Sequence, residues 1–183
     1  MPNKQYELIR VTKTGSETLK NSFAYCKDIL THHGIEGHGV RLEDVPEKRT
    51  PIVSLRDPVE RFRSAYDMMY GHDRDDFRKI WPTIENFAFW VDRMMYQKRF
   101  GYTLLPQSWW VRDFQYIKDR EALWVLTPDI DTFIMQLPVE GKIVIPAKNR
   151  TEKKSEITTE VRHRIEAAYA CDYSMLSDLG VYF

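Results

Sequence analysis

Two stretches of the chain repeat one pattern, a short apolar run, a polar turn and then apolar positions at helical spacing. In the first, Tyr6, Leu8, Ile9 and Val11 form a strand-like run and Lys13-Thr14-Gly15-Ser16 is a tight polar turn. Leu19, Phe23, Cys26, Lys27 and Leu30 then recur at the spacing of a helix face. In the second, Pro51 to Leu55 reads as a core strand of a parallel sheet. Asp57 follows as an N-cap, Pro58 as the first helical residue and Glu60 as the completion of a capping box. A strand running into a helix twice predicts one α/β domain over residues 1–183, a small central parallel sheet flanked by helices.

The remaining pattern is less regular. Residues 31–50 carry three glycines, Gly34, Gly37 and Gly39, so a loop or short strand is expected there. A mixed-charge run over residues 67–82 reads as a solvated loop. Thr83 and Glu85 open a helix with Ile84, Phe87, Phe89, Trp90, Val91, Met94 and Met95 as core positions. Phe114 to Ile117 and Ala122 to Leu126 suggest strand, turn and strand; Thr127-Pro128-Asp129 then starts a helix through Leu137, and Ile143 to Ile145 is a further short run. Lys148 to Lys154 is a basic loop. Thr158 to Leu176 is read as the final helix, with the Cys171 to Tyr173 region packing inward.

Composition narrows the classes of function. The 183 residues are 43% hydrophobic and 13% aromatic, enough for one good core. The 27 basic and 27 acidic side chains cancel, so nothing global favours nucleic acid or a membrane surface, and an anion site would have to be local. Cys26 and Cys171 both fall in helical patterns and are expected as thiols. The first strand begins within a few residues of Met1, which predicts neither signal peptide nor membrane anchor and a cytoplasmic location.

The chemistry sits at the two strand-to-helix junctions. A helix N-terminus favours an anion through its unpaired N–H groups and dipole. Gly15 permits close approach of the backbone, Lys13 adds a charge, and Thr14, Ser16 and Thr18 bring hydroxyls. The lysine precedes the only glycine, whereas a Walker A loop places it after the second, which disfavours a nucleoside triphosphatase. Arg56 stands at the carboxyl end of its strand, where open α/β sheets bind ligands, and its forked guanidinium suits a phosphate. Ser64, seven residues after Asp57, lies on the same helix face. Taken singly, these are equally an ordinary βα turn, a structural arginine and a small packing serine.

Taken together, the Lys13-Thr-Gly-Ser-x-Thr turn and Arg56-Asp-Pro-x-Glu-Arg-Phe-x-Ser64 resemble the two cofactor motifs of sulfotransferases that use 3′-phosphoadenosine 5′-phosphosulfate. The carbohydrate branch, and within it the heparan-sulfate and uronyl 2-O-sulfotransferases, is most similar. The resemblance implies a single-domain P-loop-like sulfotransferase fold in which Lys13, Thr14, Gly15, Ser16, Glu17 and Thr18 hold the 5′-phosphosulfate and Arg56 with Ser64 holds the 3′-phosphate. It also implies sulfation of a hydroxyl, with a glycan as the acceptor, release of 3′,5′-adenosine bisphosphate and no metal.

Such a transfer needs a general base, and histidine titrates in the right range. His38, in Gly37-His38-Gly39-Val40, is similar in setting to the Gly-His-Val segment that precedes the second motif of those enzymes, which implies that it is the base and that Lys13 assists the leaving group. His32 and His33 read as surface residues, since adjacent side chains seldom aim at one ion. Arg93, Lys98, Arg99, Arg112, Tyr96, Tyr102, Trp109 and Trp110 are equally acceptor-groove candidates and ordinary core and rim, and Leu105-Pro-Gln-Ser-Trp109 resembles a segment near the acceptor in carbohydrate sulfotransferases. The Thr-Glu-Lys-Lys segment resembles one that closes over the nucleotide, implying cofactor contacts for Arg150, Thr151 and Lys153. An ATP-dependent nucleotide kinase, or a module that binds a nucleotide without turnover, remains the alternative, and oligomeric state is open.

Overall fold

The apolar run Tyr6–Ile9 becomes β1, and the elements that follow are α1 (Ser16–Ser22), β2 (Tyr25–Cys26), β3 (Ile29–Thr31), β4 (Thr50–Leu55), α2 (Pro58–Gly71), α3 (Asp75–Ile80), α4 (Ile84–Phe89) and α5 (Val91–Met94). Next come α6 (Ser108–Val111), α7 (Phe114–Asp119), β5 (Leu123–Leu126), α8 (Ile130–Gln136), β6 (Gly141–Lys142), α9 (Thr159–Ala168) and α10 (Ala170–Asp178). This computed structural model describes residues 5–32, 36–71, 75–97, 100, 102–145 and 154–183. The chain divides into two compact units, Met1–Arg56 with Gln107–Lys148 and Asp57–Pro106 with Asn149–Phe183.

The first unit is α/β. Its four-stranded sheet has the order β3-β1-β4-β5 and every pairing is parallel, with Leu8 opposite Ile52 and Val53 opposite Trp124. A parallel sheet covered by helices calls for apolar strands, and Leu8, Ile9, Ile52, Val53 and Leu55 are fully buried. Leu19 of α1 and Ile130 and Ile134 of α8 pack in the same core as Leu8 and Ile52. The helical reading through Leu30 is corrected. The helix ends at Ser22, whose hydroxyl donates to the Thr18 carbonyl 2.8 Å away, and Cys26 lies in a strand that pairs antiparallel with Gly141–Lys142. Leu19, Phe23, Cys26 and Ile29 are buried in one core all the same, so the apolar spacing was satisfied without a continuous helix.

Phe114 to Ile117 forms a helical turn where a strand was expected. Asp113 caps it by accepting from the Tyr116 N–H at 2.8 Å, a local bond that an extended backbone cannot make. The further short strand is Gly141–Lys142 and not Ile143 to Ile145.

The second unit is helical around an aromatic core. Phe62 and Tyr66 of α2, Phe77 of α3, Trp81 just after α3, and Phe87 of α4 meet with ring centroids 5.2–5.8 Å apart. The stretch 67–82 is therefore no solvated loop: its charges flank Phe77 and Trp81, which are buried. The expected cap at the start of α2 is present, with Asp57 Oδ1 accepting from the Val59 N–H at 3.0 Å. Thr83 likewise caps α4, accepting from the Asn86 N–H at 3.3 Å. Phe89 and Trp90 are exposed, contrary to their reading as core, because the helix breaks at Trp90 and turns them outward. The final helix is interrupted at Tyr169, leaving Asp172 buried and Cys171 exposed.

Candidate functional site

The site is built where β1 and β4 end in the first unit. After β1 the chain turns back through Lys13, whose backbone is left-handed at φ 63°, and Gly15, at φ 86°, to start α1. Gly15 is the N-cap and brings no side chain to the first N–H groups of the helix, which have no acceptor within it. The need for glycine here also comes from packing, since a Cβ would lie 2.3 Å from Ile130 Cδ1. Two of the expected hydroxyl donors face inward. Thr14 Oγ1 donates to the Val11 carbonyl at 3.0 Å, so it accepts from Ser54 Oγ at 2.7 Å, and Ser16 Oγ donates to the same carbonyl at 2.9 Å. They shape the turn. Lys13, Glu17 and Thr18 carry side chains that reach the surface.

Arg56 joins the second motif to the first. Its Nη1 donates to the Lys13 carbonyl at 3.2 Å, so a second cation stands beside the polar turn. Its backbone is fixed by Gln107, of the Leu105-Pro-Gln-Ser-Trp109 segment. The fully buried Gln107 side chain accepts from the Arg56 N–H at 2.9 Å and donates to the Arg56 carbonyl at 2.8 Å. Thr127 Oγ1 lies 2.8 Å from the Thr14 carbonyl and 3.0 Å from that of Leu55, sharing its proton between the polar turn and the end of β4. Ser64 is half-buried on α2, in the second unit. Arg150, Thr151 and Lys153 lie outside the described residues, as do His33, Lys98 and Arg99.

His38 closes a short 3-10 turn, Glu36–His38, and faces the start of α1. Its Nδ1 lies 2.8 Å from the Arg10 carbonyl, a group that only accepts, so Nδ1 carries the proton and Nε2 the lone pair. Nε2 in turn lies 3.1 Å from Arg10 Nη2 and 3.9 Å from Glu17 Oε1. The carbonyl of His38 accepts from the indole N–H of the buried Trp110 at 2.7 Å, which makes Trp110 a core residue that holds the histidine. Burial pushes the imidazole below its usual pKa, the Nδ1 bond to the Arg10 carbonyl opposes this, and the Arg10 charge adds to the lowering. His38 is therefore neutral at pH 7.

Arg10, buried at the end of β1, is the residue the sequence missed. Its Nη1 donates to the His32 carbonyl at 2.8 Å and its Nη2 to Glu17, which also accepts from Lys20. Burial raises the Glu17 carboxyl, but the hydrogen bonds and charges of Lys20 and Arg10 outweigh it, and its pKa lies below the ordinary range. A cation at the end of an apolar run, immediately before a polar turn, was the available signal. Nearby, the buried Glu7 accepts from Arg49 at 2.7 Å and meets His32 Nε2 at 2.8 Å, so His32, still partly exposed, is tied to a buried carboxylate. Among the described residues no helix is long and apolar enough to cross a membrane. Compared with protein-family models, with curated proteins and with solved structures, the chain matches none.

Proposed function

We propose that the protein is a sulfotransferase of the P-loop-like type, which moves a sulfuryl group from 3′-phosphoadenosine 5′-phosphosulfate to a hydroxyl, that of a carbohydrate by the resemblance of its motifs. The observation that carries this is the bond from Arg56 Nη1 to the Lys13 carbonyl, which brings the guanidinium of the second motif onto the polar turn of the first. The residues present suit a phosphate. The uncapped N–H groups after Gly15 and the Lys13 ammonium supply donors and charge, and the inward hydroxyls of Thr14 and Ser16 hold the turn that presents them.

In this reading Lys13 and the N–H groups of the turn stabilise charge that builds on the leaving phosphate, and Arg56 takes the 3′-phosphate. His38, neutral and with its lone pair on Nε2, accepts the proton of the attacking hydroxyl. Glu17, bound to Arg10 and Lys20, belongs to the surroundings of His38 more than to the phosphate.

Calorimetric titration with 3′,5′-adenosine bisphosphate, set beside ATP with Mg²⁺, tests the reading. Wild type should bind the bisphosphate in preference, and Arg56→Ala should lose at least about tenfold in affinity, or roughly 1.5–3 kcal/mol for a charge-assisted contact. Selective ATP binding would favour a kinase. Failure to bind either would return Lys13 and Arg56 to structural roles.

A further inference from the structure

Arg10 touches both ring nitrogens of His38, Nδ1 through its carbonyl at 2.8 Å and Nε2 through its guanidinium at 3.1 Å. Arg10 Nη2 has two N–H groups, and the second is engaged by Glu17 Oε1, which itself stands 3.9 Å from Nε2. The ring thus faces a cation that can only donate and a carboxylate that can only accept, and these suit its two protonation states in turn. The neutral ring, with a lone pair on Nε2, bonds to Arg10. A protonated ring has an N–H on Nε2, which Arg10 repels and Glu17 accepts. Lys20, the other charged group facing this pair, holds Glu17 ionised.

We infer that Arg10 and Glu17 are positioning residues for His38, Arg10 selecting the neutral Nδ1–H tautomer before reaction and Glu17 receiving the Nε2–H of the imidazolium afterwards. The inference rests on the reading of His38 as general base. As the acceptor hydroxyl arrives it displaces the guanidinium from Nε2, while Arg10 stays anchored on the His32 carbonyl and Glu17. The O–H bond of the acceptor breaks as Nε2–H forms. The oxygen's electron pair makes the new bond to sulfur, and the pair of the broken sulfur–oxygen bond leaves with the bisphosphate. The imidazolium then turns its proton toward Glu17, a shift of about an ångström from its 3.9 Å separation to hydrogen-bond distance.

The test reads the ligand-free protein. Long-range ¹⁵N–¹H correlation of the His38 ring should place the proton on Nδ1 at neutral pH. Glu17 is half exposed, so Glu17→Gln should fold normally, and it should move the His38 titration down by about 0.5–1 unit through loss of the carboxylate. Arg10→Met should move it up and mix the tautomers, because the carbonyl at Nδ1 remains while the donor at Nε2 is gone. If Arg10→Met does not fold, the Glu17→Gln titration decides alone. An Nε2–H tautomer in the wild type, or a His38 titration that Glu17→Gln leaves unmoved, overturns the inference. Full sulfuryl transfer by His38→Gln defeats the general-base reading instead, which the ring measurements do not touch.

Discussion

At the scale of single residues, both ends of the fully buried Gln107 amide bond to the backbone of the half-buried Arg56. Gln107→Ala removes both bonds, and should cost about 1–3 kcal/mol in urea unfolding. Gly15→Ala pits a clash against a backbone cost. The clash is with the flexible tip of Ile130, which can move, whereas φ 86° cannot be relieved without rebuilding the turn. We expect a loss of about 1–2 kcal/mol, most of which persists in the Gly15→Ala, Ile130→Ala double variant. His38 sets a pH dependence. Its folded pKa is depressed, so as pH falls the unfolded chain takes up the proton first. The contribution is complete above the ordinary imidazole value of about 6.5 and is lost as pH falls through the folded pKa below it. The gap between urea midpoints at about pH 7.5 and 5.5 should shrink in His38→Gln. Lys13, Gly15 and Arg56 stood out in the sequence because charge and glycine at strand ends are local signals. Arg10 and Gln107 did not, because their roles lie in partners 28 and 51 residues away along the chain.

At the scale of elements, the strand and helix starts were legible wherever a cap or an apolar run acts locally, as at Tyr6–Ile9, Thr50–Leu55, Asp57 and Thr83. The reading slipped where a distant partner decided, as for Cys26, which pairs with Gly141. In the second unit, Arg61 of α2 is almost fully buried and donates to the Leu105 carbonyl at 2.6 Å and the Thr103 carbonyl at 3.3 Å, while Tyr169 after α9 donates to the Leu104 carbonyl at 2.7 Å. Two helices thereby hold three successive carbonyls of a non-helical segment. Arg61→Met keeps the stem but leaves the Thr103 and Leu105 carbonyls without their guanidinium donor, and should destabilise by about 2–4 kcal/mol in chemical denaturation. Hydrogen exchange should be slowest in β1 and β4, at Leu8, Ile9, Ile52 and Val53, since both strands are flanked on either side in the sheet, and fast in the two-residue β2 and β6 ladder.

At the scale of the whole molecule, equal numbers of acidic and basic side chains leave no long-range repulsion between copies near neutral pH. Light scattering should report the most attractive interactions near pH 7, weakening toward both acid and alkaline conditions. The sequence by itself determined the α/β class, the parallel sheet and the two polar strand-to-helix junctions, because apolar period, proline, glycine and capping residues act over a few positions. Only the tertiary structure decided that the chain forms two compact units, that Arg56 folds onto the Lys13 turn and that His38 faces the Arg10–Glu17 pair. These arrangements depend on which buried polar group finds which partner across 28 or more residues, and no local pattern carries that information.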